Sequence, residues 1–257
     1  MLLAIDTSTS VASVALFGRL ATDGSQLGIL AERTWRAGQR HTTQLLPRVE
    51  QLLTDAGAGV SDLAGVGVAI GPGSFNGIRV GLSTAKLLAV SLGLPLVGAS
   101  TLEAAAFAHR EAAALASVAG GRPAWLRPMD DAGRGQIATA LYRADRDPQS
   151  LEPGVLVEIE PPRLADLGHA LSDAASREGP ILFCGEVRPE WAAEIARQAS
   201  TSVVLVSPTG ILRRAGALAE LCWWRLQAGQ VDDPATLQAI YLRRPPVLER
   251  WSLPELG

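Results

Sequence analysis

The chain has little from which to build a metal site or a redox centre. Its 257 residues include only three histidines, His41, His109 and His169, with no HExxH and no His-x-x-x-His pair. That argues against a protein-built zinc centre. Cysteine is confined to Cys184 and Cys222, far apart and without a CxxC, the pattern of buried free thiols in a reducing compartment. Aromatics make up 5% of the residues and do not interleave with a basic run, and the net charge is −3. No electrostatic footprint for independent nucleic-acid binding results. The longest apolar stretch, Val80 to Gly98, is interrupted by Lys86 and Pro95 and is not a membrane span. Leu2-Leu3-Ala4-Ile5-Asp6 already reads as a strand, so no signal peptide is expected and the expected location is cytoplasmic.

What is present is apolar and patterned. Hydrophobic residues reach 47%, with a mean hydropathy of +0.18, enough to bury one large core or two small ones. Strands are expected at Leu2–Ile5, Val11–Phe17 and Gly28–Trp35, with connections short enough for antiparallel pairing. A helix from about Thr42 to Ala56, a strand at Val66–Ile70, a helix at Ile78–Leu92 and a strand at Leu94–Val97 follow. The second half repeats the order. Ala124–Met129, Gln136–Tyr142 and Val155–Ile159 read as strands, then a helix from Pro162 to about Ala175 and a strand at Ile181–Cys184. A helix at Pro189–Ala199, a strand at Val203–Val206 and a helix from about Ile211 to Gln227 complete it. The alanine-rich stretch Ala104–Ala116 between the halves is helical in composition, and the tail after Gly229, with four prolines, is irregular apart from an anchor at Tyr241-Leu242-Arg243. Two β-β-β-α-β-α-β units in one chain point to a duplicated α/β fold, with units at 1–100 and 101–229 and a tail at 230–257.

The densest local signal is Gly71-Pro72-Gly73-Ser74-Phe75-Asn76-Gly77-Ile78-Arg79-Val80-Gly81, between a strand and a helix. Unpaired N–H groups at a helix start can hold an anion. The dinucleotide fingerprint fails, because Gly77 lies four residues after Gly73, and a Walker A loop fails for want of a lysine. Loop chemistry alone favours a structural corner over an anion site. Asp6-Thr7-Ser8-Thr9 has two equally weighted readings: a hydrogen-bonded turn, or the phosphate- and metal-facing first turn of an actin/sugar-kinase/Hsp70-like architecture, which the tandem order of elements matches.

Three segments carry a family resemblance: Leu3-Ala4-Ile5-Asp6-Thr7-Ser8, His41-Thr42-Thr43-Gln44-Leu45-Leu46-Pro47 and the glycine hinge, together with Gly98-Ala99-Ser100-Thr101-Leu102. They resemble bacterial TsaB. The likeness is close over the first hundred residues and thinner beyond, where Gln136 and Ala138 stand at positions usually acidic and aromatic, and Asn76 replaces a usual threonine. The resemblance implies two tandem RNase H-like/actin-like lobes and a non-catalytic scaffold role in placing a threonylcarbamoyl group on N6 of adenosine 37 of tRNA. It implies a TsaD-like catalytic partner, a TsaE-like ATPase and tRNA met only through the complex. No catalytic or metal-ligating residue and no required cofactor are assigned. A weakly held nucleotide would lie at the interlobe cleft or the subunit interface, with Asp6, Thr7, Gly71, Gly73 and Ser74 as its contacts.

A surface for that partner is sought on the helices. Helix Ile78–Leu92 has Ile78, Leu82, Ala85 and Ala89 on one face, yet Val80, Leu87 and Val90 make the other side apolar too. A helix apolar nearly all round must be covered on both sides. The interface is therefore expected at Leu45, Val49, Ile78, Gly81, Leu82, Ala85 and Ala89, with self-pairing into a homodimer when the partner is missing. The reading from a different class is a stand-alone ATPase or small-molecule kinase using the interlobe cleft.

Overall fold

The computed structural model describes residues 1–20, 26–38, 40–145, 155–198, 203–207 and 214–243. Strands β1 (Leu2–Asp6), β2 (Val11–Arg19) and β3 (Leu27–Arg36) form an antiparallel meander, with Leu2 opposite Phe17 and Asp6 opposite Ser13. Helix α1 (His41–Asp55) leads through a 3₁₀ turn to β4 (Gly65–Ala69), and α2 (Phe75–Leu92) leads to β5 (Leu96–Ala99). Both β4 and β5 run parallel to β1, in the order β3-β2-β1-β4-β5. Helices α3 (Thr101–Phe107) and α4 (Arg110–Gly120) connect to the second half.

There β6 (Ala124–Asp131), β7 (Ile137–Asp145), β8 (Val155–Ala165), α5 (Leu167–Ser176), β9 (Ile181–Gly185), α6 (Pro189–Gln198) and β10 (Val203–Leu205) repeat the first half. The strand order β8-β7-β6-β9-β10 is the first sheet's order again. The chain is an α/β protein of two tandem RNase H-like/actin-like lobes. Helix α7 (Ala215–Gln227) closes the second unit.

The helical layers cross between the halves. One face of the first sheet (Leu3, Ile5, Val14, Val66, Val68) packs on α1 and α2, and the other (Leu2, Ala4, Ala15, Phe17) packs on α7. The second sheet packs α5 and α6 on one face and α3 and α4 on the other. The helix after β5 thus covers the second sheet, and the helix after β10 covers the first. The start of α7 is capped from the first meander: Ala215 N donates to Ser13 Oγ at 3.0 Å and Gly216 N to Glu32 Oε1 at 2.9 Å. Both are N–H groups with no acceptor inside their own helix.

Several element boundaries depart from expectation, among them β5, expected at Leu94–Val97 and found at Leu96–Ala99. Helix α2 begins at Phe75 rather than Ile78, because Ser74 is its N-cap and accepts a hydrogen bond from Gly77 N at 3.3 Å. Pro162 lies in β8 rather than opening a helix. β8 is an edge strand, so its prolines need donate nothing outward. The alanine-rich connector is two helices, broken at Ala108–His109. Residues 211–213, expected to begin the last helix, lie outside the described residues.

Candidate functional site

The glycine hinge and the turn after β1 form one packed unit. Ser74 N donates to the Ser8 carbonyl at 2.6 Å, and Thr7 Oγ1 donates to the Gly77 carbonyl at 2.7 Å. A Cβ on Gly73 would run into the Ser8 carbonyl, one on Gly77 into the Thr7 carbonyl, and one on Gly81 into Thr7 Oγ1. The glycines are there because the β1 turn lies directly on the helix. At Gly71 the requirement is also conformational, with φ at +105° and the Ile240 carbonyl 2.7 Å from where a Cβ would stand. Asp6 is buried, and its Oδ1 accepts from Ser8 N at 2.9 Å and Ser8 Oγ at 2.5 Å, an Asx turn. Asp6 and Thr7 therefore make contacts that fix the turn, and the hinge N–H groups of Ser74 and Gly77 already have protein acceptors.

Between the lobes lies a cleft of about 610 Å³. The first lobe contributes Ser8, Thr9, Ser10, Gly73, Ser74 and Phe75 to it. Across from them stand Asp130, Asp131 and Glu186. Of the residues expected to contact a nucleotide, Gly73 and Ser74 line this cleft, whereas Asp6, Thr7 and Gly71 lie outside its lining. Burial pushes the Glu186 carboxyl above the usual carboxylate range, opposed by a hydrogen bond with Thr9 and reinforced by the charges of Asp6 and Asp131. Arg134 and Arg243 line the same cleft, so its lining is of mixed charge.

A C-terminal strap crosses the same cleft. Asp232 caps the β5 edge, accepting from Gly98 N at 2.7 Å, and Ile240 N donates to the Ile70 carbonyl at 2.8 Å. Tyr241 stacks on Phe75 with ring centroids 5.2 Å apart. Arg243 then reaches the second lobe, donating to the Ala132 carbonyl at 3.1 Å and to Gln136 Oε1 at 2.6 Å. Its acceptors flank a turn in which Gly133, Arg134 and Gly135 all have positive φ.

The residues expected at a partner interface are buried inside the first lobe. Leu45, Val49, Ile78, Gly81, Leu82, Ala85 and Ala89 pack against the sheet or between α1 and α2, so none is available to another chain. The physical reason is the close approach of α2 to β1 at Gly81, which needs small residues on the inner face. The uncovered face is the opposite one, where Leu87 is 62% and Val90 68% exposed; Leu46 on α1 is 49% exposed. The sequence carried the signal, since Val80, Leu87 and Val90 make α2 apolar on both sides, but periodicity does not say which side meets the sheet.

The other polar candidates are structural. His41 is buried at the start of α1, and that burial lowers its pKa against the opposing charge of Asp6. Cys184 and Cys222 are buried, and burial pushes the Cys222 thiol up to about 12, which makes it a poor nucleophile. Among the described residues no three His, Cys, Asp or Glu side chains gather to hold a metal ion, and no helix is long and apolar enough to cross a membrane.

Comparison with known proteins places these features in context. Residues 28–149 match the family model described as TsaD, tRNA N6-adenosine threonylcarbamoyltransferase. The tRNA threonylcarbamoyladenosine biosynthesis protein TsaB of Bacillus subtilis (strain 168) is 33% identical over 184 residues, 72% of this chain and 70% of that protein. The Escherichia coli (strain K12) protein of the same name is 37% identical over 101 residues, 39% of this chain and 40% of that one. The solved structure of YeaZ from Pseudomonas aeruginosa superposes with a TM-score of 0.69 at 22% identity, covering 94% of this chain and 99% of that chain, and shares its fold.

Proposed function

The chain belongs to the TsaB family, and from that premise we propose that it is a non-catalytic scaffold subunit in threonylcarbamoyladenosine biosynthesis. It pairs with a TsaD-type catalytic homologue, and the pair places the threonylcarbamoyl group on N6 of adenosine 37 of tRNA. A TsaE-type ATPase joins the assembly, tRNA is met only through the complex, and the assembly works in the cytoplasm.

The observation that carries this reading is the uncovered outer face of α2, with Leu87 and Val90 exposed on a helix whose inner face is fully packed. Apolar side chains held side by side on a rigid helix are the features a helix-packing partner requires. The hinge supports the same reading, because Asp6, Thr7 and Ser74 are engaged in holding the β1 turn to α2. The reading of the cleft as a kinase or ATPase centre has no comparable support, since Asp6 and Thr7 lie outside its lining.

The test is co-expression with the TsaD-type subunit of the same genome, followed by measurement of threonylcarbamoyladenosine in tRNA with and without this chain. The modification should require the chain. Leu87→Glu with Val90→Glu should abolish co-purification while leaving the thermal melt of the isolated chain unchanged. Equal modification without the chain rules out the scaffold role. Co-purification that survives the double substitution rules out this face.

A further inference from the structure

The outer face of α2 carries a charge pattern that its packing within the lobe does not require. The 18 residues of α2 include Arg79 and Lys86 and no Asp or Glu, in a chain whose net charge is −3. Among the described residues neither cation forms a salt bridge; Arg79 lies over the Phe75 ring at 5.0 Å. Arg79 also sits near the helix N-terminus, the end where a positive charge is disfavoured by the helix dipole. Arg79 is thus held only by a ring contact, and neither cation has a carboxylate partner among the described residues.

Their spacing is informative. Val80, Ser83, Leu87 and Val90 follow the alternating three- and four-residue steps of a coiled-coil seam; Ser83, Leu87 and Val90 are exposed, and Val80 is half-buried where it also touches the first-lobe core. Arg79 and Lys86 are one heptad apart and immediately precede Val80 and Leu87, so both flank the seam on the same side. The opposite flank carries Thr84 and Ser91, which are uncharged. A helix laid along this seam would meet mainly Leu87 and Val90 at its centre, with Ser83 one turn away, and two cations along one edge.

The geometry points to a partner helix that is apolar along its seam and acidic along one flank, with carboxylates opposite Arg79 and Lys86. This rests on the reading of the α2 outer face as the pairing surface and specifies the chemistry of what it takes. A second copy of this chain fits poorly. Packed antiparallel, it sets the cationic flank against itself, and packed parallel, it sets those cations against Thr84 and Ser91. Neither arrangement supplies a carboxylate. The seam therefore discriminates for a heterologous partner by charge, with the apolar positions providing the contact area.

The experiment titrates the purified full-length chain with the purified TsaD-type subunit of the same genome, in low and high salt. The variants compared are Arg79→Glu/Lys86→Glu, Arg79→Gln/Lys86→Gln and Leu87→Ser/Val90→Ser, each first checked by circular dichroism for an unchanged melt. Charge reversal should weaken pairing by about tenfold, mainly through slower association. Raising salt from about 0.05 M to about 0.5 M should weaken the wild type but leave the glutamine variant nearly unaffected. If charge reversal has no effect while Leu87→Ser/Val90→Ser abolishes pairing, the face is the pairing surface and the acidic flank is refuted. If all three variants pair like the wild type, the pairing-surface reading itself fails. Sedimentation of the chain alone adds a further outcome. A wild-type homodimer weakened by Leu87→Ser/Val90→Ser and unaffected by salt would overturn the charge discrimination. Charge reversal that lowers retention of total bacterial tRNA without altering pairing assigns the cations to RNA and overturns the proposal.

Discussion

Substituting Gly77 by alanine puts the packing of the hinge to a direct measurement. The added Cβ would run into the Thr7 carbonyl oxygen, and both groups are main-chain-anchored, so the β1 turn or the start of α2 must move. Overpacking of this kind costs about 2 kcal/mol. The movement also separates Thr7 Oγ1 from the Gly77 carbonyl, a buried hydrogen bond of 2.7 Å, for about 1 kcal/mol more. Against this, replacing glycine by alanine in a helix contributes about 1 kcal/mol of stabilisation. The net loss is about 2 kcal/mol, which for a chain of this size lowers the melting temperature by about 4 to 8 °C. Gly168 in α5 is the control, since a Cβ there meets nothing within 4 Å, and Gly168→Ala should stabilise by about 0.5 to 1 kcal/mol. Calorimetry or urea unfolding monitored by circular dichroism reads both. A Gly77→Ala protein that melts at or above the wild-type temperature would refute the close approach of the β1 turn and α2.

Other consequences follow from the second lobe and the strap. Arg127 is fully buried against Asp173, and Asp173→Ala, which leaves that guanidinium with only the more distant Glu160, should cost about 3 kcal/mol in urea unfolding. Burial pushes the Asp173 carboxyl up, but the Arg177 hydrogen bond and the charges of Arg127 and Arg177 outweigh it and hold the pKa below 3.8. Its folded pKa being depressed, its contribution is present above the unfolded value and lost as pH falls through the folded one; Asp173→Asn should therefore flatten the stability profile below about pH 4. Arg243→Ala removes the contacts of the strap to Ala132 and Gln136. It should raise amide exchange across residues 132–136 by about fivefold with little change in global stability.

Much of the fold is legible in the sequence because buried strands and amphipathic helices leave opposite periodicities. The meander of β1, β2 and β3 and the repeat of its order in the second half are readable from the apolar runs and their short connections. The boundaries that escape are those set by one side chain or by position in the sheet. Ser74 starts α2 three residues earlier than the apolar pattern suggests, because its hydroxyl caps a helix turn that contains Asn76 and Gly77. Pro162 reads as a helix start, and only the edge position of β8 explains it as a strand residue. Of the cleft, Gly73 and Ser74 are visible in a motif, whereas Asp130, Asp131 and Glu186 come from separate elements with no shared spacing. Which face of α2 is buried escapes the sequence for a related reason. A helix apolar all round announces two contacts, and the inner one is fixed by Gly81 meeting Thr7, a contact between residues 74 positions apart.

That same contact explains why the most glycine-rich segment of the chain ends up serving a surface on the far side of a helix. Gly73, Gly77 and Gly81 lie at successive four-residue steps, and each faces Thr7 or Ser8. The β1 turn is thus seated along the first two turns of α2. A seat of that kind removes the freedom of α2 to slide or roll on the sheet, because a small shift along the helix brings a side chain where a glycine was. With Ile78, Leu82, Ala85 and Ala89 packed inward and Val80 half-buried against the same core, the outward direction of Leu87 and Val90 is set by the lobe itself. Affinity between proteins is limited by the cost of ordering the groups that meet. A helix already fixed on its own lobe avoids much of that cost. On the proposed reading, the hinge glycines act on pairing indirectly, by holding the outer face in one orientation, and the glycine spacing follows from the close approach of the β1 turn to α2.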